Sequence, residues 1–347
     1  MKKFPLIHQK ATITEGLRAL NQVQHLSRLI LFVVDDQERV IGSVTDGDIR
    51  RSIAAEENLQ KTLGEICNTS FRHLKQGETF QSFEAFRKAD IKILPVLDAE
   101  NRMVDLFDLN KIKANLPLEV MLMAGGRGKR LSPLTDTTPK PMLPLGGKPI
   151  IEHNIDRLIS FGIKKIYISV KYLAEQIIDH LGDGSEKGIE IEYIREDQPL
   201  GTAGALSLVE KFNTDYVLLM NSDLFTSVDF ESLYRKIIDE GAEMAIASTE
   251  YKVDVPYAVF ETEQDQVVGF KEKPSYIYHA NAGVYILKRE LINEIPKNQF
   301  FDITDLMDSV VDSGRKLVYD PIIGYWIDIG KPVDYTQAQE FVKHLEK

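Results

Sequence analysis

A run of glycines and cations, Ala124-Gly125-Gly126-Arg127-Gly128-Lys129-Arg130-Leu131, is followed by Thr138-Pro139-Lys140-Pro141-Met142. Glycine lets a backbone turn tightly and bring N–H groups close to phosphate oxygens. Arg130 offers a planar fork of donors, Lys140 a compact point charge. Prolines on both sides hold Lys140 in extended chain, which lowers the entropy lost in aiming it. No Gly-Lys-Ser/Thr follows and GxGxxG is absent, so neither standard nucleotide pattern applies. Far downstream, Asn221-Ser222-Asp223 and Tyr325-Trp326-Ile327-Asp328-Ile329-Gly330 each carry an aspartate behind an apolar stretch. Two such carboxylates suit a magnesium ion bridging phosphates, since Mg²⁺ favours oxygen ligands, keeps several waters and takes one or two protein carboxylates. Alone, the glycine run reads as a strand-to-helix turn and either aspartate as a cap.

These residues need strands to hold them. Val120–Met123, Ile166–Val170, Tyr216–Met220 and Met244–Ala247 are continuous apolar runs, with helical patterns at Ile150–Phe161, Leu173–Leu181 and Phe230–Asp239. Such an alternation predicts a mainly parallel sheet with helices on both faces. Ligands of these sheets lie beyond the carboxyl ends of the strands, where Ala124 and Asp223 fall. Ahead of this block lies a weak duplication. Leu31-Phe32-Val33-Val34-Asp35 and Leu94-Pro95-Val96-Leu97-Asp98 are 63 positions apart, as are Glu38-Arg39-Val40-Ile41 and Asn101-Arg102-Met103-Val104. Helical stripes precede both, Ile13/Leu17/Leu20 and Phe80/Phe83/Phe86, with Thr14 and Thr79 as expected N-caps. A helix–strand–strand–helix repeat of this size must pack against its copy. The joint is expected within Lys111–Pro117, where Pro117 should end the last helix of the repeat near Leu116.

The 347 residues fit two domains. With 42 Lys+Arg against 53 Asp+Glu the net charge is −11, which argues against a non-specific nucleic-acid binder. Phosphorylated small molecules stay open, because a local cluster of cations can outvote the total. The single cysteine, Cys67, excludes an internal disulfide and a cysteine-based zinc site. No signal peptide follows Met1, and no apolar run nears the ~20 residues that span a bilayer. A cytoplasmic setting without membrane or nucleic-acid partners is expected.

Gly125-Gly126-x-Gly128-x-Arg130-Leu131, Pro133-Leu134-Thr135 and Pro139-Lys140-Pro141 together resemble the signature of the sugar-1-phosphate nucleotidylyltransferases, and the resemblance runs through most of residues 118–347. It implies a Rossmann-like α/β catalytic domain over 117–347, with a mixed, mainly parallel sheet. The implied reaction joins a nucleoside triphosphate to a sugar-1-phosphate and releases pyrophosphate. Arg130, Lys140, Asp223 and Asp328 would be catalytic, the two aspartates holding Mg²⁺. Ala124, Gly125, Gly126, Gly128, Gly201 and Thr202 would bind the nucleotide. Glu272 and Asn281 would meet sugar hydroxyls, Gly283 would allow close backbone approach, and Lys273 would grip the sugar phosphate. Ala258 stands where the family usually has glycine, narrowing that wall. No length remains behind Gly330 for the β-helix that some relatives append, so acetyltransferase activity is not expected.

Glu196 stands where pyrimidine-using relatives commonly carry glutamine. A carboxylate there can accept from guanine N1–H and N2–H₂ together, whereas against a pyrimidine it leaves one carbonyl opposite a negative charge. GTP is therefore expected, with UTP or dTTP the alternatives. Residues 1–116 resemble a pair of CBS domains, through Gly42-Ser43-Val44-Thr45-Asp46-Gly47-Asp48-Ile49-Arg50 in the first copy. By resemblance, Thr45 and Asp48 would meet phosphate and ribose of an adenine nucleotide. In the second copy Asp105, Asp108 and Lys111 replace Gly42, Thr45 and Asp48, so at most one cleft is equipped to bind. A CBS pair fused to this catalytic domain resembles bacterial guanylyltransferases of surface-glycan pathways, which points to glucosamine-1-phosphate and a homo-oligomer. A silent nucleotide sensor and a pure oligomerisation scaffold are the competing readings.

Overall fold

The computed structural model describes residues 4–56, 58–77 and 83–345; Thr79 and Phe80 fall outside them. The chain divides into two compact units, one ending at Asn115 and one starting at Leu116.

In the amino-terminal unit the duplication is structural. Ile30–Val34 pairs antiparallel with Val40–Thr45, and Ile93–Leu97 pairs the same way with Met103–Asp108. Each ladder slips by one residue at its turn end, between Val33 and Val34 and between Val96 and Leu97. The aspartate ending each apolar run explains the repeat. Asp35 Oδ1 accepts from the amides of Gln37 and Arg39, and Asp98 Oδ1 from those of Glu100 and Arg102. These Asx turns let Glu38 and Asn101 adopt φ of 61° and 62°. Ile30, Phe32 and Val34 then pack on Ile93, Leu97 and Met103, so each copy buries the apolar face of the other.

Two expectations need correction. The first helix, Ile13–Leu20, is capped by Thr12, not Thr14: Thr12 Oγ1 accepts from the Glu15 amide, and Glu15 reaches back to the Thr12 amide at 2.7 Å. This capping box satisfies two orphan donors, whereas Thr14 lies two residues later, already inside the first turn. The helix expected after the second ladder is a turn. The Arg87 guanidinium takes the carbonyls of Leu109, Ile112 and Lys113, and the Asp108 carboxylate takes the amides of Asn110 and Ser27. Carbonyls held this way cannot serve a helical ladder. In the first copy the corresponding segment is the helix Asp46–Glu56.

The second unit is built on a seven-stranded sheet. Its order is Glu190–Arg195, Lys165–Val170, Leu118–Met123, Tyr216–Asn221, Ser275–Lys288, Met244–Asp254, Leu317–Pro321. The first four strands are mutually parallel, and three of them are the apolar runs at Val120–Met123, Ile166–Val170 and Tyr216–Met220. The edge strand Glu190–Arg195 has no such run, and the fourth run, Met244–Ala247, is antiparallel to Ser275–Lys288 and parallel only to Leu317–Pro321. Ser275–Lys288 is antiparallel to both neighbours, which makes the sheet mixed. Met121, Val217 and Leu219 face one side with Leu306 and Val310 of the helix Ile303–Asp312, while Val120, Leu122 and Leu218 are equally buried on the other. Both faces are covered, so every strand end that carries function opens at the rim.

Two smaller connections shape that rim. Leu224–Thr226 pairs antiparallel with Trp326–Asp328, setting Leu224 opposite Asp328. Gly201–Gly204 docks on Phe301 and Asp302: the amides of Ala203 and Gly204 donate to Phe301 O, and that of Thr202 donates to Asp302 Oδ1 at 3.0 Å. Gly201 sits at φ +78°, and a Cβ there would lie 2.7 Å from Phe301 O and 2.8 Å from Asp302 Oδ1. Gly201→Ala is expected to cost about 1–3 kcal/mol from the backbone conformation alone, with the collision added. Thermal unfolding of the full chain checks this, and an unchanged melting temperature would contradict it.

Candidate active site

The strand ends are stitched together before any side chain reaches outward. Asn221 closes the parallel ladder opposite Met123, and Ser222 Oγ donates to Met123 O at 2.6 Å. The Ala124 amide donates to Ser169 O, and that of Glu196 to Val170 O. From the helix Ile150–Ser160, Asn154 Nδ2 donates to Ser222 O at 3.1 Å. Asp223 therefore leaves a backbone fixed from three sides. The ladder that sets Leu224 opposite Asp328 brings the second aspartate beside it, and the Ile329 amide donates to Asp223 O.

Lys140 enters this pair as the first residue of a 3-10 turn, Lys140–Met142, and not from the extended chain expected of its flanking prolines, because the Met142 and Leu143 amides close back on Pro139 O and Lys140 O. It is only 8% exposed. Its ammonium is ion-paired with Asp223 Oδ2 and lies 4.0 Å from Asp328 Oδ1. Its stem packs where Gly128 lacks a side chain: a Cβ on Gly128, at φ +65°, would come within 3.0 Å of Lys140 Cβ. Asp223 Oδ1 is buried with no hydrogen-bond partner among the described residues. Partial burial, and then the charge of Asp223, push the Asp328 carboxyl above the ordinary carboxylate range, against the pull of Lys140 and Arg130. The Arg130 guanidinium lies 3.4–3.6 Å from where a Gly330 Cβ would be, so that glycine lets it lie beside the aspartates.

The glycine loop forms the adjoining wall. Thr135 Oγ1 donates to Gly128 O, the Tyr172 hydroxyl donates to Asp136 O, and Arg127 lies over the Tyr172 ring. Arg127, Lys129, Ser132, Thr135 and Asp136 line a cavity of about 270 Å³. A side chain on Gly126 would meet open space, while one on Gly125 would approach Glu196 Oε1 to 3.0 Å. Glu196 thus turns towards the loop rather than to solvent. It accepts from Ser169 Oγ and, at 3.1 Å, from the Leu200 amide.

The remaining sequence candidates divide. Asn281 Oδ1 accepts from the Gly283 amide; Gly283, at φ +74°, faces Asn221; and Trp326 Nε1 donates to Ala282 O, tying this segment to the Asp328 strand. Glu272 and Lys273 lie on an exposed turn, Lys273 at φ 44°, and neither bonds to the aspartate centre among the described residues. The Thr202 hydroxyl is engaged with Asp302 and the Ile303 amide. Asn154 and Ser169 escaped the motif search although both leave a signal: a polar residue inside an apolar stripe, at Ile150/Ile151/Asn154/Ile155/Leu158 and in Ile166–Val170.

The donor set fits a magnesium ion. Asp223 Oδ1 is an orphaned buried oxygen beside a second carboxylate. Among the described residues no group of three or more His, Cys, Asp or Glu forms a dedicated metal cage. Magnesium needs none, because waters and substrate phosphates complete its shell.

Residues 119–344 match the nucleotidyl transferase family, and residues 1–55 match the CBS domain. A UTP–glucose-1-phosphate uridylyltransferase of Synechocystis is 31% identical over 64% of this chain and 62% of its own length. A mannose-1-phosphate guanylyltransferase of Mycobacterium tuberculosis is 31% identical over 64% of this chain and 63% of its own. The chain thus spans less than two thirds of the length of these relatives. HddC of Yersinia pseudotuberculosis, solved with GMP-PN, is 26% identical with a TM-score of 0.51, covering 65% of this chain and 99% of that one. With the matched region spanning every strand end described above, the chain belongs to the nucleotidyl transferase family and carries an amino-terminal CBS domain.

Proposed function

We propose that the protein transfers a nucleoside monophosphate from a nucleoside triphosphate to a hexose-1-phosphate. A phosphate oxygen of the sugar-1-phosphate bonds to the α-phosphorus, the α–β bridging bond breaks, and pyrophosphate leaves with the electron pair. The observation carrying this reading is the meeting of Lys140, Asp223 and Asp328 at the strand ends, beside the glycine loop. The nucleophile is already an anion and needs no general base, so catalysis reduces to bringing anions together and stabilising the leaving phosphates. Arg130 would hold the leaving phosphates, Lys140 the phosphates at the reacting centre, and Lys273 the sugar phosphate. Asp223 and Asp328 would hold Mg²⁺, which supplies charge neutralisation at the α-phosphate. Asp223→Asn and Asp328→Asn should each lower turnover at least ~100-fold while leaving the fold intact. Pyrophosphate release at limiting Mg²⁺ measures this, and near-normal rates would sink the metal assignment.

GTP is the triphosphate of this proposal. The relatives use different bases, so the support is local: the Glu196 carboxylate turns towards Gly125, with acceptor capacity left on both oxygens. Its donors, Ser169 and Leu200, hold it there. The sugar is proposed to be glucosamine-1-phosphate, for whose ammonium the exposed Glu272 is a suitable neighbour. A matrix of four triphosphates against hexose-1-phosphates decides both. UTP or dTTP outperforming GTP would reject the guanine reading, and an absence of pyrophosphate release throughout would favour a silent sensor.

The amino-terminal unit is proposed to bind an adenine nucleotide in one of its two pseudo-equivalent clefts. One holds a cavity of about 420 Å³ lined by Arg28, Thr45, Asp48, Arg51, Phe71 and Arg72, among others. Here Thr45 and Asp48 bond each other, Asp48 Oδ2 accepting from the Thr45 amide and hydroxyl. At the equivalent positions Asp108 and Lys111 are taken by the chain itself, through the Ser27 amide and His25 carbonyl. Calorimetric titration with AMP, ADP and ATP should give one site per chain, weakened in Asp48→Asn. No saturable binding at millimolar nucleotide would favour the scaffold reading.

A further inference from the structure

Lys140 and Asp223 are both half satisfied. A lysine ammonium has three donors. In this site one is used on Asp223 Oδ2, and Asp328 Oδ1, at 4.0 Å, is beyond hydrogen-bond reach. On the other side, Asp223 Oδ1 is buried without a hydrogen-bond partner among the described residues. The lysine cannot retreat to water. It is 8% exposed, its stem lies against the Gly128 turn, and the Lys140–Met142 turn is closed by the Met142 amide on Pro139 O and the Leu143 amide on Lys140 O. An ammonium held between two carboxylates occupies, electrostatically, the place a divalent cation would take.

We propose that Lys140 is the resident counter-cation of the Asp223/Asp328 pair and competes with the metal until a triphosphate draws its ammonium away. This rests on the reading that the two aspartates hold the metal. A divalent cation arriving alone meets a buried positive charge already seated on Asp223 Oδ2, and two cations at such separation repel strongly in a poorly hydrated site. Removing Lys140 from Asp223 without replacement would strand both charges. Phosphate oxygens supply the replacement: they accept the three ammonium donors and free Asp223 Oδ2, while Oδ1 is already unpartnered. Metal and triphosphate are then coupled positively through one side chain, and by linkage each raises the affinity of the other. The same lysine that blocks idle metal binding becomes a phosphate ligand when the substrate arrives.

Binding of Mn²⁺ to the full chain, read from loss of the free-ion electron paramagnetic resonance signal, tests this without turnover. In the absence of nucleotide, Lys140→Met is expected to bind Mn²⁺ at least tenfold more tightly than the unaltered protein. Lys140→Gln, which keeps a neutral donor for Asp223, should show the same gain and serves if the methionine variant folds poorly by circular dichroism. Equal or weaker Mn²⁺ binding in a folded Lys140 variant would overturn the proposal. Adding Asp223→Asn to Lys140→Met distinguishes the underlying reading, again without nucleotide because GTP itself chelates Mn²⁺: if the addition leaves Mn²⁺ binding unchanged, the aspartates are not the metal site and the exchange falls with them. If it abolishes that binding while the Lys140 variants show no gain, the metal site stands and only the exchange is refuted.

Discussion

A lysine removed nine-tenths from water must be given an anion, and the second unit is arranged around that requirement. Desolvating one ammonium costs several kcal/mol unless a partner offsets it. Lys140 finds that partner in Asp223, which is available only because the Tyr216–Asn221 strand ends where Met123, Ser222 and Asn154 fix its exit. Asp328 comes from far along the chain and arrives through three residue pairs of a short antiparallel ladder. Gly128 and Gly330 are glycines for the same reason: one makes room for the lysine stem, the other for the Arg130 guanidinium. The net charge of −11 is compatible with the proposed anionic substrates, since Arg127, Lys129, Arg130 and Lys140 concentrate at this rim.

The amino-terminal unit shows how duplication becomes asymmetry. Both copies keep the hairpin, the slipped register and the Asx turn. They diverge at the end of the second strand of each hairpin, where one copy starts a helix with a Thr45–Asp48 capping arrangement and the other uses Asp108 and Lys111 to hold the opposite repeat. Thr45 and Asp48 line a cavity in the first copy, whereas Asp108 and Lys111 of the second are held by the first repeat.

The continuous apolar runs announced the parallel strands, and the helices Ile150–Ser160 and Phe230–Asp239 appeared at nearly the expected bounds, because both signals are local. The antiparallel Ser275–Lys288 strand was visible only as the Asn281-Ala282-Gly283 motif, since its direction depends on partners remote in sequence. Likewise, the motif named Asp223, Asp328 and Lys140, but not that Lys140 would sit between the two. That arrangement follows from a ladder register, which carries no sequence signature of its own. Thr12 rather than Thr14 capping the first helix reflects a smaller matter: two threonines two residues apart compete, and Glu15, three residues after Thr12, selects the earlier one. The helix missing after Asp108 was illegible because Arg87, which takes its carbonyls, lies in a different element.

In the proposed reaction these residues position two phosphates for direct displacement, with no side chain acting as a nucleophile. Exchange of labelled pyrophosphate into GTP tests this most directly, with the full chain and Mg²⁺ present. Without sugar phosphate no label should enter GTP, and with an accepted hexose-1-phosphate label should enter through the reverse reaction. Exchange in the absence of any sugar phosphate would reveal a nucleotidyl-enzyme intermediate and contradict it.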